Sequence, residues 1–252
     1  FGIKKFPETW EEFRKVAELF RSKGYYATAF PVSVWLYLCM LYQKGGRVLV
    51  GDSVVFNSKE GIEALEYLVG LVKDSLAYIT TGYKHQDDFI AQKIPMVFGT
   101  IVSYSFMKPK IKFNFGIAPL PYFKDGKRVV ILSGTNVGMF KTHDTLLRKV
   151  AFNFLKFFLR SDIQKRWAKG TGYLPLRRSV AKNIENEELR KVILQVEYAD
   201  FEPRRADWLI GRRLLSTEGL EPALRGFLSP KDALNRAAKF YQAEIKRRKI
   251  LQ

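Results

Sequence analysis

The stretch FPETWEEFRKVAELF, residues 6–20, contains a helix start followed by an amphipathic pattern. Thr9 and Glu12 form a capping box, in which the Thr9 hydroxyl accepts from the Glu12 amide and the Glu12 side chain reaches back. The apolar residues behind this cap recur at helical spacing and are Trp10, Phe13, Val16, Ala17 and Phe20. The pattern predicts a helix with one buried face, and Gly24 is the residue expected to end it.

Comparable signals predict helices over most of the remaining chain. Pro31 is interpreted as a first-turn proline, Ser58 as a helix cap and Ser161 as the start of a second capping box. The predicted helices cover residues 31–43, a segment from 58, and residues 144–159, 161–170, 187–198, 206–227 (with breaks at Gly219 and Pro222) and 230 onward.

The middle of the chain changes to a period of two, which is typical of strands. Short strands are predicted at residues 94–98, 113–117, 128–132 and 137–140. Several helices thus precede a strand-rich middle, and several helices follow it. This order predicts an α/β fold whose strands belong to a sheet that the chain does not obviously complete.

The composition narrows the possible functions. The chain has 252 residues, 47% of them apolar, and 43 basic against 25 acidic residues give a formal net charge of +18. The basic residues are spread from Lys4 to Lys249, which favours solvated surfaces over a nucleic-acid interface. One cysteine, Cys39, excludes an intrachain disulfide, and the two histidines leave no Cys/His metal cluster.

An enzyme would need a nucleophile with a base, or another catalytic motif. The chain has no G-x-S-x-G, P-loop or H-E-x-x-H pattern, and neither His85 nor His143 lies in a motif. We therefore expect no catalytic residues, no metal and no cofactor.

Seven short blocks together carry more information than any one of them. They are FPETWEEF (6–13), QKGG (43–46), FNSKEGIEAL (56–65), FIAQKIPM (89–96), FGIAPLP (115–121), QKRW with TGYLP (164–175) and SPKDAL (229–234). Their order resembles the extracellular solute-binding proteins of ABC importers, of the maltose-binding or glycerol-phosphate-binding type. Gln92 and Pro95 depart from the glycine and alanine usual in that family.

The resemblance implies a helix-rich, two-lobe, periplasmic-binding-protein-like α/β fold that lacks the N-terminal part of one lobe. Roughly a hundred residues, a domain-sized unit, would precede the first block. Residues 1–115 and 177–252 would form the second (C-terminal) lobe, and residues 116–176 would be a return segment of the first (N-terminal) lobe. Crossings between the lobes are expected at Ile117–Pro121 and Leu174–Leu176.

The return segment carries more apolar surface than it can bury by itself. Phe152, Phe154, Phe157 and Phe158 lie in its first predicted helix. We expect this segment to pack against a partner copy, against the missing portion or in a domain swap with a neighbour.

The resemblance also selects candidate ligand-binding residues. An aromatic face for a sugar is expected at Trp35, Tyr173 and Trp208, and hydrogen-bond donors at the turns after two strands. An arginine fork for a carboxylate or phosphate is expected just before the penultimate helix. The candidates are Trp35, Gly99, Thr100, Ser133, Gly134, Thr135, Tyr173, Arg204, Arg205 and Trp208. Core packing, plain turns and exposed charges are the alternative interpretations of these same residues.

The function implied is that of the substrate-binding component of an ABC importer. It would bind a carbohydrate or polyol, phosphorylated or not, in a cleft between two lobes and deliver it to a membrane permease. The family implies a location outside the cytoplasm, in the periplasm or at the cell surface, and no nucleic-acid partner. The alternative is a basic nucleic-acid-binding protein with no transport role.

Overall fold

The computed structural model describes residues 1–250, apart from the side chains of Glu188, Lys249 and Ile250. Its helices are α1 (Trp10–Ser22), α2 (Val34–Gln43), α3 (Lys59–Lys73), α4 (Lys84–Ile90), α5 (Ile101–Met107), α6 (Thr145–Phe158), α7 (Ser161–Thr171), α8 (Arg178–Lys182), α9 (Glu187–Ile193), α10 (Trp208–Leu214), α11 (Glu221–Leu224) and α12 (Pro230–Ile250). Its strands are β1 (Thr28–Pro31), β2 (Leu49–Val50), β3 (Ser53–Val54), β4 (Ala77–Thr80), β5 (Val130–Ile131) and β6 (Ala199–Asp200).

The strands form three separate pairs. β1 pairs with β4 and β5 pairs with β6, both in parallel, whereas β2 and β3 form an antiparallel pair. Parallel pairs need crossover connections, and helices such as α2 and α3 supply the one between β1 and β4. Within the described residues, no helix is both long enough and apolar enough to cross a membrane.

The predicted start of α1 is confirmed. Thr9 Oγ1 accepts from the Glu12 amide at 3.2 Å, and Glu12 Oε2 accepts from the Glu8 amide at 2.9 Å. Gly24 follows the helix with a φ of +84°, in the left-handed region that glycine enters at low cost. The helices predicted from residues 58, 144, 187 and 230 are also present, as α3, α6, α9 and α12.

Three helix details are wrong. Pro31 ends β1, and Ser33 caps α2 by accepting from the Leu36 amide. Ser161 is the first residue of α7 and does not cap it. The chain does not break at Gly219 or Pro222, because a π-helical turn over Leu215–Leu220 joins α10 to α11. Gly219 instead allows close packing on α12, since a Cβ there would lie 3.2 Å from the Ala237 Cβ.

Three of the four predicted strands are absent. Residues 94–98 have the expected alternation, with Ile94, Met96 and Phe98 buried, but Pro95 has no N–H to donate to a ladder. Residues 113–117 also alternate in burial, but they form no strand. Residues 137–140 are exposed and have no neighbouring strand within residues 1–250. Only the prediction at 128–132 holds, in shortened form, as β5.

The contacts divide the chain into two compact units. Unit 1 contains residues 1–98, 120–132 and the chain from Tyr198, and unit 2 contains residues 99–119 and 133–197. A unit boundary falls inside the predicted crossing Ile117–Pro121, whereas Leu174–Leu176 lies within unit 2. The assignment of residues 1–115 and 177–252 to one lobe and 116–176 to the other stays a prediction.

The centre of unit 1 is α2, which is buried at every position except Trp35. Gln43, at its last turn, is 1% exposed and connects distant segments. Its Oε1 accepts from Trp10 Nε1 at 2.8 Å, and its Nε2 donates to the carbonyls of Pro121 at 2.9 Å and Val129 at 3.1 Å. Trp10 and Gln43 belong to two of the seven blocks. Their hydrogen bonds in this buried network explain both residues by their role in the fold.

Unit 2 contains a helix without any buried residue. Leu146, Leu147, Val150, Phe154 and Phe157 lie along one side of α6, and each is between 46% and 71% exposed. We call these five residues the α6 face. An amphipathic helix needs a covering for its apolar side, so the α6 face is an unusual surface.

Candidate functional site

The candidate site lies at the carboxyl end of β1. The chain leaves this strand at Pro31 and enters α2 through Val32 and Ser33. Ser33 Oγ is engaged as the helix cap, 3.2 Å from the Leu36 amide. In open α/β sheets, ligands bind outside the carboxyl ends of parallel strands, because loops and helix starts provide polar groups there.

A depression of about 380 Å³ opens at this strand end, entirely within unit 1. Residues 31–34 form one wall, and α10 with the following turn forms the other through Leu209, Arg212, Arg213, Ser216 and Thr217. This volume lies in the range of small-molecule sites. The lining combines aliphatic surface with hydroxyl and guanidinium groups, which suits a small polar solute.

The two arginines of the depression differ in their partners. Arg212 Nε lies 3.2 Å from Glu202 Oε2, and the same oxygen accepts from Trp208 Nε1 at 2.6 Å. Within the described residues, no ion pair or hydrogen bond involves the Arg213 guanidinium. Among the described residues the charge of Arg213 is therefore uncompensated, and it lies beside Ser216 and Thr217, whose Oγ1 donates to the Arg213 carbonyl at 3.2 Å.

Trp35 lies in the first turn of α2, next to the wall of the depression that residues 31–34 form. Its Nε1 donates to the Ile131 carbonyl at 3.3 Å, and its ring packs partly against the core. The indole N–H is therefore occupied, and only the remaining exposed ring surface is available to a ligand. Its role as a sugar-stacking residue stays a prediction.

The other three candidates of unit 1 have structural partners. Trp208 is 4% exposed and packs on Tyr241 with a centroid distance of 6.0 Å, so a stacking role would require its ring to leave the core. Arg204 is exposed and lies over the Phe201 ring at 4.3 Å. Trp208 positions Glu202 and hence Arg212, which makes it a support of the depression.

Arg205 is engaged as an internal clamp. It donates to both oxygens of Asp207, at 3.0 and 2.7 Å, and to Asp52 Oδ1 at 2.6 Å. The hydrogen bonds from Arg205 lower the pKa of Asp207 below its ordinary value, although burial opposes them. Both arms of the fork are thus occupied, and an anionic ligand at Arg205 would have to displace a carboxylate.

The remaining candidates lie in unit 2. Thr100 caps α5, where its Oγ1 accepts from the Ser103 amide at 3.4 Å, and Gly99, which precedes it, is exposed. Ser133, Gly134 and Thr135 are exposed, and Tyr173 is half-buried.

The structure brings two of these unit 2 candidates together. A Cβ built on Gly134 would lie 4.0 Å from Tyr173 Cε1, and the Tyr173 ring stacks on Trp167 at 6.3 Å. Residues 133–135 and Tyr173 therefore lie close to each other in unit 2. A ligand role for these residues, and for Gly99 and Thr100, stays a prediction.

The sequence interpretation missed the lining residues Ser33, Leu209, Arg212, Arg213, Ser216 and Thr217. One signal was available, because Leu209, Arg212, Arg213 and Ser216 share one side of a helix at spacings of three and four. Basic residues occur throughout the sequence, so this spacing did not stand out from the others. The sequence also did not predict β1. The described residues contain no group of three or more His, Cys, Asp or Glu that could hold a metal.

Comparison with known proteins identifies related chains. A model of the bacterial extracellular solute-binding protein family matches residues 3–191. The sn-glycerol-3-phosphate-binding periplasmic protein UgpB of Pectobacterium atrosepticum is 22% identical over 184 residues, which cover 68% of this chain and 41% of the relative. The chain thus spans about two fifths of the length of this curated relative.

Solved structures show the same fold. A cyclic alpha-maltosyl-1,6-maltose binding protein from Arthrobacter globiformis has a TM-score of 0.85 at 25% identity, over 97% of this chain and 66% of its own. The sugar-binding protein MalE of Xanthomonas citri has a TM-score of 0.87 at 19% identity, over 99% and 66%. UgpB of Mycobacterium tuberculosis, solved with glycerophosphocholine, has a TM-score of 0.77 at 18% identity, over 98% and 66%.

These structures confirm the predicted fold class, the helix-rich α/β fold of the two-lobe periplasmic binding proteins. The relatives named are solute-binding proteins, so the alternative of a nucleic-acid-binding protein has no support among them.

Proposed function

Because the chain belongs to the bacterial extracellular solute-binding protein family, we propose that it is the substrate-binding component of an ABC importer. It binds a carbohydrate or polyol outside the cytoplasm and presents it, chemically unchanged, to a membrane permease. The relatives carry names that refer to glycerol 3-phosphate, glycerophosphocholine and maltose-type sugars.

The residues that line the depression at the end of β1 favour a polyol that carries a phosphate group as the ligand. The observation that carries this proposal is the Arg213 guanidinium, which has no ion-pair partner in the part of the chain that the structure describes and lies beside Ser216 and Thr217. A guanidinium presents a planar set of donors that matches phosphate oxygens, and hydroxyl groups suit a polyol. Arg212 is already engaged by Glu202, so Arg213 supplies the charge that selects an anion.

Replacing Arg213 tests this proposal. R213Q removes a charged hydrogen bond, which is worth about 1.5–3 kcal/mol, and should weaken glycerol 3-phosphate and glycerophosphocholine binding by about ten- to hundredfold. Maltose has no charge for Arg213 to bind, so any affinity for maltose should stay unchanged. Isothermal titration of the full chain with the three ligands measures these affinities.

A matched control separates a local effect from a general loss of charge. K239Q removes one positive charge from an exposed position of α12 that does not line the depression, and should bind all three ligands like the unchanged chain. Equal affinities of R213Q and the unchanged chain for both phosphate ligands would contradict the phosphate assignment. Absence of binding by the unchanged chain to all three ligands would contradict the proposed function itself.

We further propose that the α6 face mediates association of two copies through the segment 116–176. Leu147 and Phe154 are 56% and 54% exposed, and covering such a face is favourable in water. The double change L147E and F154E should convert the associated species to a monomer in sedimentation velocity. A chain that sediments as a monomer before the change, at concentrations up to the millimolar range, would contradict this association.

A further inference from the structure

A carboxylate outside the depression at the end of β1 partly sets the charge inside it. Among the described residues that line the depression, only Arg212 and Arg213 carry a charge. Glu202 does not line it, but its Oε2 and Oε1 lie 3.2 and 3.4 Å from Arg212 Nε. One of the two positive charges therefore has a counter-charge before any ligand binds.

Glu202 is held in this position from the side of the core. Its Oε2 accepts from Trp208 Nε1 at 2.6 Å, and Trp208 is 4% exposed. The Glu202 side chain itself is 21% exposed, against 45% for Arg212. A carboxylate that a buried ring anchors in this way has little freedom to leave, so it stays beside Arg212 while a ligand binds.

The depression thus offers one net positive charge. It belongs to Arg213, whose guanidinium has no ion-pair partner among the described residues. A phosphate monoester carries about −1.5 to −2 charges at neutral pH, because its second pKa is about 6. A phosphate diester has no second proton to lose and keeps a single negative charge. The second charge of a monoester therefore finds no cation of its own and is repelled by the Glu202 carboxylate, which weakens binding.

The apolar part of the lining suits a second ester group on the phosphate. Val32 and Leu209 lie on opposite walls of the depression, and Leu209 is 77% exposed. An uncharged ester group that packs there removes this apolar surface from water. A bare phosphate oxygen would instead face the same surface without a hydrogen bond.

We propose that Glu202 sets the charge that the depression accepts, and that it thereby selects a phosphate diester of a polyol over the corresponding monoester. This inference rests on the proposed function and names the class of ligand for the same depression. Glu202 acts through Arg212 and is a positioning residue. It discriminates by repelling the wrong ligand as well as by leaving Arg213 free for the right one.

Isothermal titration of the full chain with glycerol 3-phosphate and with its methyl ester tests the preference. At about pH 8 the methyl ester should bind about tenfold more tightly, because the monoester is doubly charged there. At about pH 5.5 the monoester carries mostly one charge, so its affinity should rise severalfold while that of the methyl ester stays constant. A monoester that binds as tightly as the methyl ester at about pH 8, or a preference that does not change with pH, would overturn the proposal.

Glu202→Gln tests the assigned residue. Glutamine can still accept from Trp208 Nε1, but it leaves Arg212 without a counter-charge, so the preference for the methyl ester at about pH 8 should fall about tenfold. Loss of a purely structural support would weaken both probes alike and leave the ratio of their affinities unchanged. Glu221→Gln is the matched control and should keep the ratio, because Glu221 pairs with Arg225 at 2.9 Å and neither residue lines the depression.

The outcomes separate this inference from the proposed function. If both probes bind, and the ratio of their affinities is the same for E202Q and the unchanged chain, the role of Glu202 is overturned while the binding of phosphate ligands stands. If neither probe binds to the unchanged chain, the proposed function is overturned and this inference with it.

Discussion

Gln43→Leu should lower the free energy of unfolding of unit 1 by about 3–5 kcal/mol, since it leaves several buried polar groups unsatisfied. Leucine has nearly the volume of glutamine but can neither accept from Trp10 Nε1 nor donate to the carbonyls of Pro121 and Val129. The backbone carbonyl of Gln43 still accepts from the Lys127 amide at 2.9 Å, so the loss is confined to the side chain. Urea titration followed by tryptophan fluorescence measures the change.

Gln242→Leu is the matched control. Gln242 also bonds two backbone groups, the Val54 amide and the Asp52 carbonyl, but it is only partly buried. Water can replace those bonds, so this variant should lose about 1 kcal/mol or less. A similar small loss for Gln43→Leu would show that the network does not hold α1, α2 and the 120–132 segment together.

Gly61→Ala should destabilise the chain by about 3–5 kcal/mol, among the largest effects that a single added methyl group produces. A Cβ at this position would lie 1.9 Å from the Phe56 carbonyl oxygen and 2.8 Å from the Tyr37 hydroxyl. That hydroxyl donates to the same carbonyl at 2.9 Å, so the methyl group would displace a backbone segment and break a buried hydrogen bond.

Gly70→Ala, in the same helix α3, is the control, and it is expected to change the stability in the opposite direction. A Cβ there meets only the end of the Arg14 side chain at 3.4 Å, which is an ordinary contact. Alanine is favoured over glycine in a helix interior by about 1 kcal/mol, so this variant should be slightly more stable. Thermal unfolding of the two variants side by side distinguishes them, and equal stability would contradict the close approach at Gly61.

Local signals accounted for the features that depend only on neighbouring residues. The cap at Thr9, the end at Gly24 and the extent of α6 follow from side chains within a few positions along the chain. The same kind of signal failed where a distant segment decides. Pro31 has the geometry of a first helical turn, but pairing with Thr80 places it in a strand.

Strands were harder to predict because alternation shows burial and not pairing. Residues 94–98 alternate correctly, and the Met96 amide donates to the Ala27 carbonyl at 3.2 Å, but these residues form no strand in the part of the chain that the structure describes. The hydrophobic pattern does not predict β1 and β4, because each has only four residues and little alternation.

The sequence predicted residues close to the depression but not most of the residues that line it. Trp35 and Trp208 are near the depression, but their indole N–H groups are used to hold Ile131 and Glu202. A sequence pattern does not show which arginine acquires a carboxylate partner. Arg205 pairs with two carboxylates, those of Asp52 and Asp207, whereas Arg213 pairs with none within the described residues.

Phosphorus NMR of glycerol 3-phosphate titrated with the full chain tests the central claim most directly. We expect a saturable shift of one resonance at a ratio of one ligand per chain, a titration midpoint about ten- to hundredfold higher with R213Q, and recovery of the ligand unchanged. No shift with the unchanged chain, an equal midpoint with R213Q, or the appearance of a second phosphorus resonance from a reaction product would contradict it.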